Sequence, residues 1–263
     1  MRWQLVFDPL FRVPFTNGLL LAATVPLLGA YVRLRDEWLA ALGVAEATAA
    51  GGVVAMLLGL HPIPGALGAA SLAAGAKGVF RRSGNDVFVL LLLLGWSVAL
   101  LGAANSARGE EVSHALIDGQ LYFTGSPHLI AAGLLAAAVA VLLPLLSRRL
   151  LLERFFPDYF AVAGARTWRL NLVFDLLVAF SVAVSTQSVG VMAAFALVFL
   201  PPWAAFTGAA GWRRALLRVE AFSLTAYVVA FAAAILLNQP FGPVLVATLL
   251  LASLPRAAAR RAA

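Results

Sequence analysis

Nine apolar runs, each close to the length of a bilayer crossing and separated by short polar or charged punctuation, leave this 263-residue chain few folds to choose from. A span needs ~20 mostly apolar residues. Bounded by charge, proline or glycine, the runs fall at 15–33, 38–60, 62–80, 85–104, 128–147, 168–186, 187–207, 217–237 and 240–255. A backbone in lipid must satisfy its own hydrogen bonds, so runs of this length are helices. The expected fold class is all-α, a polytopic integral membrane bundle of about nine transmembrane helices, with residues 1–263 forming one domain. Composition agrees, with 62% hydrophobic and 12% charged residues against roughly 45–50% and ~25% in soluble domains. The spans take up nearly the whole chain and leave no room for a soluble catalytic domain.

The charges set the expected orientation. Between the fifth and sixth runs, Arg148, Arg149, Arg154, Arg166 and Arg169 surround the aromatic stretch Phe155-Phe156-Pro157-Asp158-Tyr159-Phe160. A connection this basic stays cytoplasmic. Following the runs in alternation from it puts 16 of the 19 Lys and Arg on the same side and leaves Arg2, Arg12 and Arg108 on the other. The N-terminus is then external and the C-terminus cytoplasmic. The 148–169 connection reads as a short amphipathic helix on the membrane surface, well placed to contact a cytoplasmic partner. The longest external connection, Asn105 to Pro127, carries Glu110, Glu111 and Asp118 against Arg108 alone. It is either a docking surface for an external partner or a solvated link. Topology also accounts for the net charge of +7, because the basic residues come in pairs and triplets between runs and form no single patch for nucleic acid. Arg2, Asp8, Pro9 and Arg12 interrupt the first residues, so these are expected to be an interfacial lead-in carrying Trp3, Phe7 and Phe11 and not a signal peptide.

Polar residues inside the runs carry the chemistry. Glu46 lies near the middle of the second span and Asp175 about eight residues into the sixth, where an ionisable side chain costs roughly 3 kcal/mol on insertion scales. Neither is expected to face lipid. Each is either a site on a cation path or a buried, protonated or hydrogen-bonded carboxyl that fixes helix packing. Lys77, Asp86 and Glu220 lie near span ends, where such side chains snorkel or pair. His61, His114 and His128 are the only histidines, at span ends or in the external connection. Imidazole with carboxylates suits zinc and other transition metals, which makes His61, with His114, Glu110 and Glu111, a further candidate ligand. Single interfacial histidines also serve structure alone. Cysteine is absent, so no disulfide and no thiolate metal site is available. Gly51, Ala55 and Gly59, and Ala70, Ala74 and Gly78, form small-residue stripes that let helices approach closely. Pro201-Pro202 marks a kink or a helix end. The phosphate-binding pattern Gly-x-x-x-x-Gly-Lys-Ser/Thr does not occur, so any driving ATP hydrolysis belongs to another polypeptide.

Two segments carry a family resemblance. Gln187-Ser188-Val189-Gly190-Val191-Met192-Ala193-Ala194-Phe195-Ala196-Leu197-Val198-Phe199-Leu200-Pro201-Pro202-Trp203-Ala204 resembles the "V-V-G-V-L-L-V-x-A-L-L-x-x-P-A" segment in permease subunits of zinc and manganese ATP-binding-cassette importers. Pro157-Asp158-Tyr159-Phe160-Ala161-Val162-Ala163-Gly164 is similar to that family's cytoplasmic "D-x-E-x-A-x-x-x-G", with Asp158 and Gly164 as anchors. The layout from Phe11 onward and the Leu116-Ile117-Asp118-Gly119 to Ser126 stretch fit as well, so the resemblance covers nearly the whole chain. It implies a homodimeric permease in a prokaryotic cytoplasmic (inner) membrane, with nucleotide-binding ATPase subunits beneath it and an extracytoplasmic metal-binding protein above. The chain itself would be no enzyme and hold no permanent cofactor; Zn2+ or Mn2+ would be its cargo. Arg154, Asp158, Tyr159, Phe160, Gly164 and Arg166 would then couple to the ATPase, and Glu110, Glu111 and Asp118 would receive the binding protein. The family's second span usually reads "G-D-A-x-S-H-A-x-x-P-G"; aligned through Ala47 and Gly51, this chain has Leu42 at the aspartate, Glu46 at the histidine and Ala50 at the proline. The usual acid–imidazole pair has become a lone carboxylate. A divergent permease for another small substrate and a non-transporting membrane scaffold stand as the alternatives.

Overall fold

The computed structural model of the chain describes residues 8–79, 86–106, 119, 121–156, 168–206 and 211–259. Among them are nine α-helices and no strand: α1 (Arg12–Leu34), α2 (Trp38–Leu57), α3 (Pro62–Val79), α4 (Asp86–Ala104), α5 (Ser126–Phe155), α6 (Trp168–Val189), α7 (Val191–Ala205), α8 (Trp212–Leu237) and α9 (Phe241–Ala259). They correspond one for one with the nine expected spans, and the all-α polytopic bundle is the fold observed. By length and composition α1, α2, α4, α5, α6 and α8 are long and apolar enough to cross a membrane. The apolar parts of α7 and α9 are shorter.

The sixth and seventh spans divide later than the polarity pattern indicates. α6 runs on to Val189, and the chain reverses at Gly190 with φ 88°, a left-handed conformation that glycine adopts without steric cost. α7 then returns toward the end of the bundle from which α6 came. Pro201 and Pro202 lie within α7, which ends one turn later at Ala205, so the expected helix end is close to the observed one.

α1 is the central strut, packed on α5, α6, α7 and α8, while α2 packs on α3, α4 and α6. Two prolines explain how α1 is locked in place. Pro26 has no N–H to give to the Ala22 carbonyl four residues earlier, and the Ser223 hydroxyl of α8 donates to that carbonyl instead, at 2.8 Å. Pro202 leaves the Val198 carbonyl free in the same way, and Gly29 of α1 packs onto it so closely that a Cβ would lie 2.1 Å from the oxygen. In lipid, where a freed carbonyl finds no water, such partners let a proline persist inside a span.

The two ends of the bundle differ in chemistry. At one end an aromatic cluster of Phe11, Phe15, Tyr122, Tyr227, Phe231 and Phe241 joins α1, α8, α9 and the turn Leu121–Phe123, with ring centres 5.1–6.4 Å apart. Burial pushes the Tyr122 phenol up to about 12, so it stays protonated at neutral pH. At the other end lie Arg33, Arg35 and Arg154. The faces of α4 and α5 carrying Leu90, Leu94, Leu101, Leu134 and Leu145 are exposed and wholly apolar, as lipid contact demands.

Candidate functional site

The arginine-bearing end is held together by named polar contacts. Tyr31, near the end of α1, is buried and donates its hydroxyl to Ser147 Oγ of α5 at 2.6 Å, while Trp212 of α8 donates its indole N–H to the same hydroxyl at 3.1 Å. The Arg35 guanidinium donates to Asp175 of α6 at 3.1 Å, approaches Glu37 at 3.5 Å and stacks over Phe174, 5.3 Å from the ring centre. Arg154, in the last turn of α5, is paired with Asp36 in the α1–α2 turn. Asn171 of α6 donates to Glu153 of α5 at 2.9 Å. These bonds clamp the C-terminal end of α5 and the N-terminal end of α6 to the corner between α1 and α2. The expected coupling connection runs between those two helix ends, and Arg154 is its described member. Asp158, Tyr159, Phe160, Gly164 and Arg166 lie outside the described residues.

The candidate metal-path residues do not form one cluster. Asp175 belongs to the arginine end, in the pair with Arg35. His61 sits at the opposite end, in the α2–α3 corner, where its Nδ1 accepts a long 3.4 Å bond from the Ile63 N–H and its ring lies 6.1 Å from that of His128. Glu46 lies between them in α2, half-buried, on the side that α4 crosses. There Gly95 rests on its backbone so closely that a Cβ would come 2.5 Å from the Glu46 carbonyl carbon. Two turns on, Val53 shares this face and meets Gly102 of α4. Among the described residues no hydrogen bond or ion pair holds the Glu46 carboxylate, and no group of three or more His, Cys, Asp or Glu side chains is gathered. Glu110, Glu111 and Asp118, with His114, lie outside the described residues.

The structure adds a feature that counting charges misses. The last turn of α6 reads Ser185-Thr186-Gln187-Ser188, and Ser185, Thr186 and Ser188 are at most 1% exposed. Ser185 donates back to the Ser181 carbonyl at 2.7 Å, whereas the Thr186 hydroxyl, the Gln187 Nε2 and the Ser188 hydroxyl have no hydrogen-bond partner among the described residues. Asn17 of α1 is fully buried, and neither of its amide atoms has a partner among those residues. Gln187 approaches α2 at Gly52, where a Cβ would lie 2.8 Å from its Nε2. Four consecutive polar residues at the end of a run of Val, Ala and Leu were the available signal. Buried polar groups are ordinarily paired, and three consecutive side chains here are not, among the described residues.

Comparison with known proteins agrees with this architecture. No curated protein matches the chain in sequence. In fold it is similar to PsaBC from Streptococcus pneumoniae, solved in complex with Fab, at 16% identity and a TM-score of 0.83, over 95% of this chain and 91% of that one. It is also similar to an inward-facing metal-chelate type ABC transporter, at 16% identity and a TM-score of 0.69, over 92% of this chain and 83% of that one. Residues 8–259 match the ABC 3 transport family, and the chain therefore belongs to that family, as its multi-pass, non-catalytic membrane component.

Proposed function

We propose that this chain is the permease of an ATP-driven importer for a divalent transition metal, zinc or manganese, energised by a separate ATPase subunit. Family membership over residues 8–259 carries the reading. The structural relatives, one described as PsaBC and one as a metal-chelate type transporter, support it. The permease works as a homodimer in a cytoplasmic membrane, with residues 1–263 acting as one domain, the ATPase at the arginine end and an extracytoplasmic metal-binding protein at the histidine end. The excess of Lys and Arg at the connections between alternate spans supports that orientation. Glu110, Glu111 and Asp118 are the proposed contacts of the binding protein, and Asp158, Tyr159, Phe160, Gly164 and Arg166 join Arg154 against the ATPase.

Glu46 is the proposed carboxylate on the cation path. Its support is an unpaired, half-buried acid in mid-span at the position where the resembled family carries histidine. An isolated oxygen ligand of this kind binds a divalent ion weakly enough to release it. Asp175, held by Arg35, serves the arginine-end clamp instead. The test is metal uptake by vesicles containing the permease and its ATPase, comparing wild type with Glu46→Gln, which keeps size and hydrogen bonding while removing charge. Loss of uptake in a folded, inserted variant is expected. Unchanged metal-dependent uptake and ATPase stimulation would remove Glu46 from the path and leave it as packing.

A further inference from the structure

We infer that His61 and His128 form a two-imidazole docking site for a divalent transition-metal ion at the mouth of the bundle. The inference rests on the metal-import reading and adds a site to it. Two side chains from distant parts of the chain converge here, one from the α2–α3 corner and one from the first turn of α5, with ring centres 6.1 Å apart and planes tilted by 55°. A cation about 2.1 Å from one nitrogen of each ring fits between rings at this separation. Both Nδ1 atoms are available. Among the described residues, that of His61 accepts only a 3.4 Å contact from the Ile63 N–H, long enough for a cation to displace, and that of His128 is buried without a partner.

His128 and Gln187 share a crevice between α3, α5 and α6 whose other walls include Ile63, Leu67, Ala131 and Val184. Apart from Gln187, the side chains around His128 in that crevice are apolar and offer no stronger ligand. Two neutral imidazoles make a weak site, since a tight structural site for zinc takes four protein ligands. Weak binding is what a transit position requires.

The test uses the full-length permease purified in detergent and titrated with Co2+, whose visible absorption reports nitrogen ligation, and with Zn2+ in competition. Wild type is expected to show a Co2+ band that Zn2+ abolishes. His61→Ala and His128→Ala are each expected to lose it. Because an alanine variant could fail to fold, His61→Cys with His128→Cys is made in parallel. The chain has no other cysteine, so gain of a thiolate-to-Cd2+ absorption band in the double variant is expected if the two positions converge on one ion. Co2+ binding unchanged in the double alanine variant, or no Cd2+ band in a folded double cysteine variant, would overturn the site. Metal uptake by wild-type vesicles is read separately. Uptake that the histidine variants leave intact removes this site alone, and a Co2+ band without any uptake removes the import reading alone.

Discussion

Arg35, the residue after the end of α1, donates from Nη1 to Oδ1 of Asp175 at 3.1 Å and so ties the first helix to the sixth across 140 residues of sequence. Both side chains are mostly buried, at 19% and 14% exposure, so the pair is shielded from the screening that makes surface pairs weak. Asp175→Ala is expected to lower stability by about 1–3 kcal/mol, because it removes a charged hydrogen bond and leaves Arg35 with Glu37 as its counter-charge. The exchanged pair, Arg35→Asp with Asp175→Arg, is expected to recover part of the loss. Thermal unfolding in detergent measures both, and an unchanged midpoint in Asp175→Ala would show the pair to be dispensable.

The neighbouring pair, Arg154 with Asp36, behaves differently. Its side chains are 47% and 75% exposed, so it contributes little to stability. It stands where α5 leads into the connection proposed to seat on the ATPase. Arg154→Glu is expected to leave the unfolding midpoint unchanged while ATP hydrolysis by the assembled complex no longer responds to substrate. Unchanged coupling in this variant, with assembly intact, would take Arg154 out of the interface.

Helix contact at Gly29 is tight enough to be tested by one methyl group. With the Val198 carbonyl 2.1 Å from where a Cβ would stand, Gly29→Ala must push α1 away from α7, at a cost of about 1–3 kcal/mol for overpacking. Gly133 of α5 has nothing within 4 Å of the same position, and Gly133→Ala is expected to be neutral or stabilising by up to about 1 kcal/mol. The difference between the two midpoints isolates the clash from any general effect of replacing glycine.

The helices were legible in the sequence because one physical requirement, about 20 apolar residues per crossing, governs both where a run begins and where it stops. The α6–α7 boundary was not, for a reason that lies in Ser185-Thr186-Gln187-Ser188. Polarity alone reads these residues as the end of a span, whereas neighbouring helices bury them and the backbone reverses only at Gly190, where a left-handed φ is available. The partner of Asp175 was not legible either. Counted from the start of its run it is an intramembrane acid, but the cation that pairs with it comes from the end of another helix, and such pairings are written in three dimensions only. Glu46 stood out in the sequence as a charge in mid-span, while its place under α4 at Gly95 did not. His128 carried no local pattern to join it to His61, since the two meet only because α3 and α5 both pack on α6.

Reconstitution separates metal import from every other reading of this chain. Wild-type permease is placed in vesicles with its ATPase and the external metal-binding protein, and accumulation of zinc and of manganese is followed with and without ATP. The expected result is ATP-dependent accumulation of at least one of the two metals, absent when the ATPase is omitted and absent with a hydrolysis-deficient ATPase. A complex that assembles and hydrolyses ATP yet moves neither metal would contradict metal import by this chain.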